Sequence, residues 1–264
     1  MINKGTLRED EFVFQLNNIK CGDLSPNLHS MMVELFGIVD DTQMIYCEKT
    51  FDYIKPDILI THLGTTRAVS IKSGSSQTVH CEQIRPFIEA LRKMGVSEET
   101  LKTIVLFLYG DGTYDGTGKK RYSYPEVCYW LKERIKAANE ELNSNREIIK
   151  MFVDRVLFQG VNPDERNADA IYHGDVNFGT LITKEQVMKY IDSKGWHFRE
   201  VLHVGPINLS ACARYVDKPI SNERRRNMIE CHWPRMESDI KYIASRYNSY
   251  ISPYRTKKKD SDYK

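Results

Sequence analysis

Lys55-Pro56-Asp57-Ile58-Leu59-Ile60 is followed, thirteen residues after Asp57, by Ser70-Ile71-Lys72. An acid after a proline heads one apolar run, and a second run closes on X-Ile-Lys. Period-two alternation puts Arg67, Val69 and Ile71 on one face of the second strand and Ala68, Ser70 and Lys72 on the other. If the two strands pair, Asp57 and Lys72 meet at one edge of the sheet. A carboxylate beside an ammonium is a minimal kit for metal-assisted phosphodiester cleavage. The acid holds a hard divalent cation, and the lysine orients or deprotonates the attacking water.

Periodicity extends the pattern on both sides. A helix is expected near 7–19, strands near 43–48, 56–61 and 67–72, and a helix near 78–94. The apolar run Thr103-Ile104-Val105-Leu106-Phe107-Leu108 reads as a further strand. With its Asp57 and Lys72, this αβββαβ order resembles the PD-(D/E)XK nuclease superfamily, which includes type II restriction endonucleases and Holliday-junction resolvases. The run Gly5-Thr6-Leu7-Arg8-Glu9 looks like the Gly-x-x-x-Glu start of the first helix in resolvase-type members. Glu9 shares the inward face of Phe12 and Val13, whereas Glu11 points elsewhere.

The resemblance implies a mixed α/β (α+β) fold with a restriction-endonuclease-like core, and magnesium-dependent cleavage of double-stranded DNA. The chain departs from the family at Ser70, where a second acid normally stands two residues before the lysine. Some restriction endonucleases take the missing carboxylate from the following helix, and Glu82, ten residues beyond Lys72, is then the candidate, with Glu9 as the alternative. Asp57 and Glu82 are the expected metal ligands, Lys72 the activator of water, and Ser70 a group that holds a metal-bound water. Magnesium suits such a site because it keeps several waters and needs only one or two protein carboxylates, and manganese is a possible substitute. A Holliday-junction resolvase and a non-cleaving DNA-binding module on the same fold remain as alternatives.

Composition bounds these expectations. With 41% hydrophobic and 28% charged residues the chain reads as an ordinary soluble protein. Its longest apolar run, Ile104 to Tyr109, is too short to span a bilayer, and no apolar leader follows the initial charges. Six cysteines without a Cys-x-x-Cys pair fit reduced, buried thiols in a cytoplasmic protein better than disulfides or zinc. A protein that coats DNA nonspecifically is usually far more basic than the net +2 here, whereas a cleft enzyme needs only local basic runs. Such runs stand at Lys119-Lys120-Arg121, Arg224-Arg225-Arg226 and Lys257-Lys258-Lys259.

Beyond the core, Ser123-Tyr124-Pro125-Glu126 is a capping box opening a helix toward Leu142, and Ser144-Asn145-Arg146-Glu147 opens another toward Phe158. Ala170-Ile171-Tyr172 and Thr180-Leu181-Ile182 read as short strands, and Thr183-Lys184-Glu185-Gln186 caps a helix. Ile207, Leu209, Ala211, Ala213 and Tyr215 alternate as a half-buried strand, and Pro234 precedes a last helix. The glycine-rich segment 110–120 lacks phosphate-loop and calcium-loop spacing and reads as a mobile excursion. His173 and His232 lack metal-ligand spacing. The expected organisation is a nuclease core over 1–160 and a C-terminal α+β half over 161–264 for DNA recognition or dimerisation. A homodimer is expected, since two-fold cutting of DNA needs two active sites, with a companion methyltransferase as a possible further partner.

Overall fold

The computed structural model describes residues 4–50, 55–73, 77–119, 121–161, 166–196, 200–212 and 225–247. In chain order, helix α1 (Lys4–Leu16) leads to a short strand β1 (Ile19–Lys20) and helix α2 (Pro26–Phe36). Strands β2 (Met44–Lys49), β3 (Ile58–His62), β4 (Thr65–Lys72) and β5 (Thr78–Gln83) follow. Helices come next: α3 (Ile84–Lys93), α4 (Glu98–Tyr109), α5 (Tyr124–Trp130), α6 (Lys132–Ser144) and α7 (Arg146–Asp154). The remaining elements are β6 (Ala170–Gly174), β7 (Gly179–Thr183), α8 (Lys184–Ser193), β8 (His203–Val204), β9 (Ile207–Ala211), β10 (Met228–His232) and α9 (Met236–Arg246).

These elements form a mixed α/β protein of two compact units. One takes residues 1–76, 158–190 and 236–264, and the other takes 77–157 and 191–235. The first holds a six-stranded sheet in the order β1-β2-β3-β4-β6-β7, and the second a four-stranded antiparallel sheet, β5-β10-β9-β8. This grouping differs from the expected division at 160. The cause is β6, which pairs in parallel with β4 and draws its antiparallel partner β7 into the first sheet. A parallel neighbour needs a crossover connection, and here the whole segment 77–157 lies within that connection.

On one face of the first sheet, Ile45, Cys47, Ile58, Ile60, Val69 and Tyr172 pack with Phe12 and Leu16 of α1 and with Leu28, Met31 and Met32 of α2. Burying a side chain such as Phe12 contributes about 1.5–3 kcal/mol. The other face is buried too, at Ala68, Ser70, Ile171 and Ile182. Covered on both faces, β6 and β7 read as continuous apolar runs rather than as alternation.

Two expected elements change type. Residues 103–108 belong to α4, not to a strand. Ser97 caps this helix by accepting from the Thr100 N–H, Glu98 and Glu99 complement its first turn, and Gly110 closes it in the left-handed region. Its buried residues Leu101, Ile104 and Leu108 recur at helical spacing. Residues 78–83 form strand β5, not the start of a helix, because β10 supplies an antiparallel partner along their length. The capping boxes at Ser123 and Thr183 open α5 and α8 as expected. Positions 213 and 215 of the alternating strand, Lys120, Arg224 and the lysine run at 257–259 lie outside the described residues. Among the described residues no helix is long and apolar enough to cross a membrane.

Candidate functional site

Asp57 stands just before β3, after a cis Lys55–Pro56 peptide, and its backbone is bonded to both neighbouring strands. Its N–H donates to Val69 O at 3.0 Å, and its carbonyl accepts from Thr50 N at 3.1 Å. Register then decides what the side chain meets. Ile58 lies opposite Val69, so Asp57 falls opposite Ser70, on the face that also carries Lys72. The Ser70 hydroxyl donates to Asp57 Oδ2 at 3.0 Å, the Ile71 N–H donates to the same oxygen, and Lys72 Nζ stands 3.5 Å away. The Asp57 and Lys72 side chains are each 19% exposed, so the pair is sheltered but within reach of a substrate. Among the described residues no hydrogen bond falls on Oδ1, which leaves that oxygen as the one able to face a cation.

Thus the structure brings Asp57, Ser70 and Lys72 together. Glu9 belongs to the same unit, on α1, and pairs with Lys49 Nζ at 2.9 Å. Lys49 ends β2 opposite Ile58, one position from Thr50, which bonds the Asp57 backbone. Burial works against the Lys49 ammonium, yet its bonds to Glu9 and Asp10 hold its pKa above the ordinary lysine value. Lys49 was not singled out by its sequence, although the alternation of Met44 to Lys49 marks it as a strand end. His173, set aside above for want of metal-ligand spacing, is buried and stands in parallel register with Lys72. No local signal identifies His173, because its neighbour is 101 residues away in the chain.

Glu82 lies in the other unit. It sits on β5 with its side chain only 1% exposed, where Arg155 donates to Oε2 at 2.7 Å and the His80 ring lies 3.0 Å from Oε1. Both its oxygens are engaged inside that unit. Asp57 is not part of any group of three His, Cys, Asp or Glu residues among those described; such groups occur instead at Cys21, His29 and Asp41 and at Cys81, Cys212 and Glu230.

The second unit also carries the glycine-rich segment, which folds back on Asp111 and Asp115 rather than straying outward. The buried Asp111 accepts from the Thr113 N–H and hydroxyl, from Gly118 N and from Arg226, so this arginine of the basic run is an internal ligand of the loop. Beside it, Gly112, Tyr122, Glu126, Tyr129 and Trp130 line a pocket of about 470 Å³. Burial pushes the Asp111 carboxyl up, but the bonds from Thr113, Arg226 and Gly118 outweigh it and leave the pKa below the ordinary value. A depressed folded-state pKa contributes stability above the unfolded value near 3.9, and that contribution is lost as pH falls through the folded value. Asp111→Asn is therefore expected to lower the melting temperature at pH 7. The gap to wild type should narrow on acidification below about pH 4. A gap of constant size across that window, measured by thermal unfolding, would remove the electrostatic account.

Compared with models of protein families and with curated proteins, the sequence matches none.

Proposed function

We propose that this protein is a magnesium-dependent endonuclease acting on double-stranded DNA, most like a type II restriction endonuclease. The observation that carries the reading is the convergence of Ser70 and Lys72 on one Asp57 carboxylate oxygen at the ends of the interior strands β3 and β4 of a mixed sheet. The order of that sheet adds support, since three antiparallel strands, β2-β3-β4, are followed by β6 parallel to the third. The PD-(D/E)XK superfamily core has such an arrangement, with α1 packed against it.

The donor set fits magnesium in its sparse form, with one or two carboxylates and several retained waters. When bound, the ion supplies Lewis acidity at the phosphate and lowers the pKa of a coordinated water. Asp57 would hold it through Oδ1, while Ser70 and the Ile71 N–H fix the carboxylate rotamer through Oδ2. Lys72 would orient the attacking water by donating to it and would stabilise the charge that develops on the phosphate. For the second acid, magnitudes favour Glu9 over Glu82. Glu82 reaches a cation only by leaving Arg155 uncompensated in the interior, at about 3–5 kcal/mol. The partly exposed pair of Glu9 with Lys49 is worth about 0–1 kcal/mol and exchanges readily.

Two observations keep other readings open to test. The serine at position 70 leaves Asp57 without a carboxylate neighbour on β4, which favours a binding module, and Glu9 near Lys49 favours a junction resolvase. Supercoiled plasmid and synthetic four-way junctions incubated with the protein and magnesium separate the three. Discrete plasmid fragments support the restriction enzyme, and cleavage confined to junctions supports the resolvase. A mobility shift without cleavage leaves the binding module.

A homodimer follows from the two-fold cut that such an enzyme makes. Sedimentation is expected to give twice the chain mass on cognate DNA. A monomer both free and bound would instead point to a nickase.

A further inference from the structure

The second unit contains a cluster that the proposed nuclease chemistry does not use. Glu230 on β10 lies opposite Cys81 on β5 and opposite Ser210 on β9. Cys212 follows β9, tied to the sheet by its N–H to Met228 O. Three neighbouring strands therefore deliver two thiols and a carboxylate to one place. Their ligand atoms all lie within 4.8 Å of one another, and Cys212 Sγ stands 3.2 Å from Glu230 Oε1. Around a tetrahedral zinc ion, bonds of 2.0–2.3 Å place ligand atoms roughly 3.3–3.8 Å apart, so small side-chain adjustments close the set.

We propose that Cys81, Cys212 and Glu230 form a binding site for a thiophilic divalent cation, zinc by chemical class, on the outer face of the four-stranded sheet. The shell around the carboxylate suits this role. Glu230 Oε2 faces His232 Nε2 at 3.4 Å, and the other nitrogen of that ring lies 3.3 Å from the Thr78 hydroxyl. A ligating carboxylate held in this way keeps its direction. The face is accessible, with Cys81 exposed and Cys212 and Glu230 half-buried.

Both cysteines must ionise to ligate, so binding of a dication releases two thiol protons to solvent. Three protein ligands leave the fourth tetrahedral position to water. Thiolate donors also select against magnesium, so this site and the Asp57 site sort their metals by ligand softness. Metal at the site would clip β5 and β10 to Cys212 at the end of β9.

The test is a cobalt titration of the full-length, reduced and chelator-treated protein under anaerobic conditions. Expected are one equivalent of tight binding, a thiolate-to-cobalt absorption band in the near ultraviolet, and bleaching of that band by zinc. Cys81→Ser and Cys212→Ser should each abolish the band, whereas Asp57→Asn should leave it intact, which separates this site from the proposed magnesium site. The proposal is overturned if folded wild-type protein gives no thiolate band, or if the band survives both cysteine substitutions. It is also overturned if mild oxidation joins Cys81 to Cys212 in a protein that cobalt leaves colourless. Because the wild-type titration decides the matter, misfolding of a variant does not shield the idea. Glu230→Gln, which keeps the side-chain shape, is expected to weaken binding while keeping the band.

Discussion

Asp57→Asn is expected to leave a folded protein that no longer nicks or linearises plasmid DNA in magnesium, with a loss of more than about 100-fold. Asparagine is the informative replacement. It keeps an oxygen to accept from the Ser70 hydroxyl and the Ile71 N–H, so the strand edge stays satisfied while the anionic ligand is gone. Lys72→Ala removes the group facing the water instead, and should cost about 10²–10⁴-fold in cleavage with DNA binding largely retained. Cleavage rates and mobility shifts on the same plasmid measure both. Wild-type cleavage in either variant would falsify the assignment of this site.

Glu82→Ala has the largest expected effect on stability, a loss of about 3–5 kcal/mol in urea unfolding. It strands the Arg155 guanidinium, whose side chain is 12% exposed, and removes a hydrogen-bond partner of the buried His80. An activity loss in this variant alone would therefore say nothing about metal binding. Glu82→Ala combined with Arg155→Met removes both charges, and much of the stability should return because an apolar pair can replace a buried ion pair. If Glu9 is the second acid, that double variant cleaves DNA once it folds. A stable but inactive double variant would count against Glu9 as the second acid. A stability loss below about 1 kcal/mol in Glu82→Ala would show that the ion pair contributes little, as exposed pairs do.

The local features of the chain were legible in its residues. Period-two alternation over Arg67 to Lys72, with an acid heading the preceding strand, suffices to bring Asp57 and Lys72 together, because neighbouring strands in register leave few alternatives. Ser123 with Glu126, and Thr183 with Gln186, announce helix starts because capping is chemistry within one turn. The mixed α/β class follows from such signals. The strand read at 103–108 failed on a conflict between two local signals. An apolar run of that length suits a buried strand or a buried helix, and Ser97 with Gly110 outside the run decides for the helix.

Partners distant in the chain were decided only by the tertiary structure. Residues 78–83 are a strand because β10, some 150 residues later, offers them a hydrogen-bonding edge. The first sheet is completed by the parallel strand β6, which is separated from β4 in the chain by residues 77–157 of the other unit, so no division at one point of the chain describes it. The same limit governs individual side chains. Glu82 is an ordinary acid until Arg155 stands beside it, and Cys81, Cys212 and Glu230 carry no recognisable spacing until three strands align. Alternation and caps act over a few residues and leave a mark in the sequence. Pairing across a hundred residues depends on which edges and faces remain to be covered once the chain has collapsed, and that is settled by the fold alone.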